Sequence, residues 1–330
     1  MGNIKFEHIR NATSKITYKG ITFLIDPMLA PKDAYPGFEG TYNNHLRFPL
    51  VDLPNSIMEI LKDVDAIIVT HTHLDHWDNY AVENIRKDIP IFVQNKKDYN
   101  IIKEQGFKDI FILEEEIDFK DIKLIKTGGS HGTVEMYAED WFTEIAGDAM
   151  GIIFQAEGEK TVYFVGDTIW TADVNKALNR FKPEIIVMNT GAARALAFKE
   201  PIIMGKEDVE HMVKAMPNSQ IVAVHLDSVN HATVTRKDLR EFIKAKNIGN
   251  YRLKFGTPVY HIVRELKITN EDKVIFGGPM MGTEIFDSRV PTVKGTSGIL
   301  FLDTEEIERK SCISCGYCVE ACPMNLMPFE

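Results

Sequence analysis

The stretch Thr70–Asp78 reads THTHLDHWD and places four metal-binding side chains, His71, His73, Asp75 and His76, within six residues. A strand that ends in His-x-His presents both imidazoles on one side, because side chains alternate along a strand. Asp75 and His76 follow after the chain turns. Four donors can serve two cations, two to each, if the loop folds sharply. Imidazole with carboxylate suits borderline divalent ions such as zinc, and manganese is the other metal expected here. Water held between two cations about 3.5–4 Å apart loses its proton near neutral pH and attacks carbonyl or phosphorus centres. Asp75 is placed to orient such a nucleophile, a catalytic role beside ligation.

A complete centre needs donors from elsewhere, and three occur where an apolar strand opens into a loop. His131 lies in TGGSHG, Asp167 follows TVYFV in VGDT, and His225 follows IVAV. The plain alternative is a solvated histidine-rich loop with unrelated buried histidines, which leaves the ordered set unexplained. For His231 two readings stay open: contact with substrate or ligands, and an ordinary loop histidine. His8, His45, His211 and His261 read as structural or surface residues; Arg47 in the long loop has two readings, a partner for an anionic substrate group and, more plainly, an ordinary surface arginine.

HxHxDH with a later His, Asp and His resembles the metallo-β-lactamase superfamily. LIDPML (Leu24–Leu29), GGSHG, FVGDT and HLDSVNH (His225–His231) are similar to its ascorbate-6-phosphate lactonase-like branch. The resemblance covers roughly residues 1–250 and implies an α/β protein, a four-layer αββα sandwich with two divalent metals at one edge. It implies that His71, His73 and His131 hold the first metal and Asp75, His76 and His225 the second. Asp167 would bridge them, and Asp26 would support the site. The implied activity is hydrolysis of a lactone, phosphodiester or related small metabolite. Di-iron redox members of the superfamily carry glutamate at the position of His73, so histidine there favours hydrolysis.

All four cysteines fall in the last nineteen residues, as Cys312-x-x-Cys315-x-x-Cys318-x-x-x-Cys322-Pro. A secreted disulfide framework would spread its cysteines over the fold. This spacing is that of a bacterial ferredoxin and suits a [4Fe–4S] cluster, with structural zinc as the alternative. FGTPV, VIFGGPMMG, VKGTSGIL and CISCGYCVEACPMNLMP resemble the RnfC protein of the Rnf electron-transport complex. That resemblance implies a partial β-grasp-like ligand-binding segment over 251–305 and an iron–sulfur segment over 306–330. It also raises a second function: electron transfer with Rnf-type partners, docked at a membrane periphery. In two-cluster ferredoxins the fourth cysteine serves the other cluster, and no second run accompanies Cys322. The nucleotide- and flavin-binding region of RnfC proteins has no counterpart, so GGPMMG reads as a structural turn. Half a domain buries a poor core, which favours a tail with little independent function.

These sites need elements to position them. Short strands are expected over Ile4–Ile9, Lys15–Tyr18 and Ile21–Ile25, with a turn at Lys19-Gly20. The Pro- and Gly-rich stretch Asp26–Pro54 is too long for a plain connection and reads as a loop over a functional site. Ala66–Thr70, Glu184–Met188 and Ile221–Val224 read as buried strands. Gly151–Ala156 and Thr161–Val165 form a hairpin about Glu157-Gly158. Lys206–Ala215 is helical, and Thr235–Lys246 opens on a capping box, Thr235 with Asp238. A domain boundary falls near residue 250.

The 330 residues carry a net charge of −10 and a pI near 5.5. That disfavours nucleic acid as a partner, since a phosphate-backbone binder needs a basic face. A small-molecule substrate is expected, and assembly as a homo-oligomer is compatible with it. No apolar run reaches bilayer length, and the first residues lack the basic and apolar regions of a signal peptide, so a cytoplasmic protein is expected.

Overall fold

The computed structural model describes residues 4–245, 254, 256–266, 268, 273–277, 282–293, 296 and 298–302. The chain divides into two compact units, Met1–Gly249 and Asn250–Glu330.

The first unit holds two six-stranded sheets. One takes its strands in chain order: β1 (Lys5–Arg10), β2 (Thr13–Tyr18), β3 (Ile21–Ile25), β4 (Ala66–Val69), β5 (Ile91–Val93) and β6 (Ile110–Ile112). β1 to β3 form an antiparallel meander, and β3 to β6 run parallel. The other sheet comprises β7 (Glu116–Phe119), β8 (Ile122–Gly129), β9 (Ala149–Gln155), β10 (Val162–Phe164), β11 (Ile185–Asn189) and β12 (Gln220–Val224). Here β7 to β10 are antiparallel and β10 to β12 parallel.

Alternation along the strands explains the layering, since successive side chains point to opposite faces. Phe23 and Ile25, Ala66 and Ile68, Ile152 and Phe154, and Val162 and Phe164 all meet in one core between the sheets. Their neighbours in the first sheet, Leu24, Ile67 and Val69, join a second core with Ile85 and Ile102 of the flanking helical segments. In the second sheet Ile153, Tyr163 and Val165 pack with Val174, Leu178 and Met212 of helices Ala172–Phe181 and Lys206–Ala215. Both faces of each sheet are therefore apolar, which is why the central strands read as continuous runs. The result is the αββα sandwich.

The β9–β10 hairpin turns at Gly158, whose φ of +79° suits glycine. Helix Arg236–Ala245 opens on the expected box: Thr235 Oγ1 accepts from Asp238 N at 3.0 Å, and Asp238 Oδ2 accepts from Thr235 N at 3.0 Å. The stretch from Asp26 to Pro54 has no regular strand or helix; its Tyr35 and Thr41 make isolated bridges to Phe48 and Ala195.

In the second unit the described residues form helix Val259–Leu266 and an antiparallel sheet ordered β14-β13-β15, with β13 Lys273–Phe276, β14 Thr283–Ile285 and β15 Ile299–Leu302. Residues 278–281 of the expected GGPMMG turn, and all four cysteines, lie outside the described residues. Among the described residues no helix is long and apolar enough to cross a membrane.

Candidate metal centre

The site is assembled at carboxyl ends of strands, where α/β sheets place their ligands. β3 runs into Asp26, β4 into Thr70 and His71, β8 into His131, β10 into Asp167, and β12 into His225. The histidine loop is pinned at both ends. Asp26 accepts hydrogen bonds from Thr70 N at 2.7 Å and Thr70 Oγ1 at 2.8 Å. His76 N and Trp77 N both donate to His73 O, which closes the turn. Asp78 then caps helix Asn79–Asn84 through Ala81 N, and its second oxygen accepts from Ala30 N.

This folding collects two donor groups. His71, His73 and His131 bring ligand atoms within 4.8 Å of one another, and so do Asp75, His76, Asp167 and His225. Every residue of the second group is buried. His76 Nε2 lies 3.1 Å from Asp167 Oδ2, and His225 Nε2 lies 3.2 Å from Asp75 Oδ2 and 3.4 Å from Asp167 Oδ2. His76 Nδ1 is fixed by Asp26 Oδ2 at 2.9 Å, which turns Nε2 toward the carboxylates. Asn189 Nδ2 donates to the other oxygen of Asp167 at 2.5 Å.

The electrostatics differ between the groups. Burial holds His71 well below its ordinary pKa and His131 down at about 3, helped by the neighbouring histidines. Burial also opposes charge on His76 and His225. The adjoining carboxylates, Asp167 foremost, outweigh it, raising His76 strongly and His225 to about 9. Burial acts against the charged forms of Asp75 and Asp167 too, but His76 and His225 bring both carboxylates below their usual range.

The donors fit divalent metal ions. Nε2 of His71 and both ring nitrogens of His131 are buried without a hydrogen-bond partner, a costly arrangement for neutral imidazoles unless a cation takes the lone pairs. The second group supplies anionic oxygens beside imidazoles, the mixed set that borderline metals favour.

Two cavities meet at His73, whose Nε2 faces Ile145 O at 2.9 Å. Helix Asp140–Ala146 contributes Ile145 and Ala146 to both. One cavity, of about 280 Å³, reaches Asp75, His131 and Asp167 and is walled by Phe38, Trp141, Phe142 and Leu196. Among the described residues no lysine or arginine lines it. The other, of about 370 Å³, is mixed in character, with Gln94, Lys97, Asp98 and Asp148 in its wall.

His231 sits in the apolar cavity, edge-on to Phe38 at 4.9 Å between ring centroids; its Nδ1 has no partner, and burial lowers its pKa to about 4. Phe38 and Thr41 of the long loop also face this cavity. Arg47 instead donates to the carbonyls of Asp33 and Ala34 at the surface, and His211 stacks on Trp170 at 3.9 Å. Asn11, Asn189 and Tyr137, whose hydroxyl accepts from His131 N at 3.2 Å, are site residues that sequence reasoning missed. Asn11 alone carried a faint signal, as an asparagine between two strands, where a left-handed turn residue is common.

Two donor groups at one edge of an αββα sandwich define a metallo-β-lactamase-type, metal-dependent hydrolase. The family model for the beta-lactamase superfamily domain matches residues 22–226, and the chain belongs to that family. It is 42% identical to the UPF0173 protein YddR of Bacillus subtilis (strain 168), over 73% of this chain and 93% of that protein. A solved structure of a possible metal-dependent hydrolase from Veillonella parvula DSM 2008 is 58% identical, with a TM-score of 0.73 over 74% of this chain and 93% of that one. The structure of isothiocyanate hydrolase from Delia radicum gut bacteria is 47% identical, with a TM-score of 0.71 over 73% and 92%.

A second set of matches includes the C-terminal region. The 4Fe–4S binding domain model matches residues 305–326. A component of the ion-translocating oxidoreductase complex of Rhodobacter capsulatus is 34% identical over 57% of this chain, which spans only 39% of that protein.

Proposed function

We propose that residues 1–250 form a dinuclear hydrolase acting on a small, uncharged electrophile with an apolar substituent, such as a lactone. His71, His73 and His131 would hold one divalent ion, zinc or manganese, and Asp75, His76 and His225 the other, with Asp167 shared. The observation that carries this reading is the set of buried, unpartnered imidazole nitrogens of His71 and His131 beside the second donor group. When bound, the ions lower the pKa of water and offset negative charge developing on the substrate.

The residues around them have distinct tasks. Asp75 lines the apolar cavity and would accept a hydrogen bond from the attacking water, fixing its direction. His231, neutral at pH 7, would present its unpartnered Nδ1 to a polar atom of the substrate. Phe38, Trp141 and Phe142 would exclude water around the substituent. Among the described residues the apolar cavity has no lysine or arginine, which favours a lactone there over a phosphodiester, whose charge calls for a cationic partner. The likeness to an isothiocyanate hydrolase supports a second substrate of the same physical kind, an isothiocyanate, also uncharged and electrophilic at carbon.

In the tail, Cys312, Cys315, Cys318 and Cys322 would bind a [4Fe–4S] cluster, with residues 251–305 as a partial β-grasp-like segment and 306–330 as the iron–sulfur segment. Electron transfer with Rnf-type partners is the alternative function that this cluster would serve.

The test is metal and acid-labile sulfide content of protein purified without oxygen, with turnover of lactones and isothiocyanates. Two zinc or manganese per chain and hydrolysis of either class are expected. Metal-free protein with undiminished turnover would sink the reading. Four iron with four sulfide, beside the two metals, would assign the tail a working cluster.

A further inference from the structure

The link between β1 and β2 carries a residue whose side chain the sheet does not need. Asn11 is fully buried and has a φ of +55°. Its backbone carbonyl accepts from His225 N at 2.9 Å and sits 2.8 Å from His8 Nε2. Its Nδ2 donates to Asp75 O at 3.1 Å and lies 3.3 Å from both Asp75 Oδ2 and His225 Nε2. Its Oδ1 has no partner, although buried. One short side chain thus touches the loop after β4 and the end of β12, which belong to different sheets.

We infer that Asn11 is a positioning residue for the second donor group, holding Asp75 and His225 in the relative orientation that a divalent cation requires. The inference rests on Asp75 and His225 being metal ligands. An amide suits the position because it donates to a carboxylate oxygen without adding charge or competing as a strong ligand. An aspartate of the same shape would set an acceptor against Asp75 Oδ2. A glycine would keep the left-handed backbone and remove the amide.

Asn11→Gly and Asn11→Asp should be compared with wild type for metal stoichiometry, metal affinity, kcat and KM, and for melting in excess chelator. Both variants are expected to fold, to bind the second equivalent of metal about 10–100-fold more weakly, as loss of an orienting partner does, and to lose kcat with KM little changed. Asn11→Gly with two tightly held metals and wild-type kcat would overturn the inference alone. So would unfolding of both variants in chelator where wild type stays folded, since Asn11 would then be structural. Wild-type protein with fewer than two metals, or an active Asp75→Ala, would overturn the ligand reading and this inference with it.

Discussion

Asp26 uses its two oxygens on three donors, Thr70 N, Thr70 Oγ1 and His76 Nδ1, so one carboxylate sets both the start of the histidine loop and the tilt of the His76 ring. Asp26→Ala frees that ring, and metal titration should show affinity about 10–100-fold weaker. Asp167→Ala removes the group shared by His76 and His225; elemental analysis should find at least one metal equivalent lost, and turnover should fall to background. The pH dependence has a defined sign. His225 is raised from 6.5 unfolded to about 9 folded, so its ion pairs stabilise metal-free protein fully below about pH 6.5, and that contribution is lost as pH rises through 9. Thermal melts from pH 6 to 10 should therefore decline steeply in chelator and, on the proposed ligand role of His225, much less with metal. Histidines and carboxylates such as these were legible because each sits in a short local motif at a strand end. Asn11 and Asn189 act through distance in space, which one sequence does not encode, and so they escaped notice.

At the scale of elements, Gly166 shows how tightly the strand ends are built. Its φ is +76°, and a Cβ there would stand 2.2 Å from Met150 O. Gly166→Ala must move either the β10 end or β9, carrying Asp167 with it. Denaturant melts should show a loss above about 1 kcal/mol, and turnover should fall with it. Phe154→Ala opens the core between the sheets, which holds none of the donor residues; a loss of about 3–5 kcal/mol is expected, with metal stoichiometry unchanged in the folded fraction. Strand identities came readily from runs such as AIIV and IVAV. Strand order did not, because a strand buried on both faces carries no mark of its neighbours. The short strands β5 to β7 also passed unnoticed: three or four residues give too little periodicity to read.

The whole molecule divides into two compact units, and among the described residues the donor groups lie in the first. A chain cut after Gly249 should keep the metal content and hydrolysis of the full protein and lose any iron and sulfide, measured on matched anaerobic preparations. The cysteine spacing was legible as a ferredoxin pattern. What the second unit does was not, because a cluster's use depends on its partners.

The metal donors also have an order in time. A ribosome releases Asp26 and the four donors of the loop long before Asp167 and His225 exist, and the first sheet is complete by Ile112. His131, which completes the first donor group, is made 55 residues after His76, whereas the second group lacks His225 until 149 residues after it. The second donor group is complete only once the last strand of the second sheet has been made, so metal capture by that group is expected at the end of folding and not at its start.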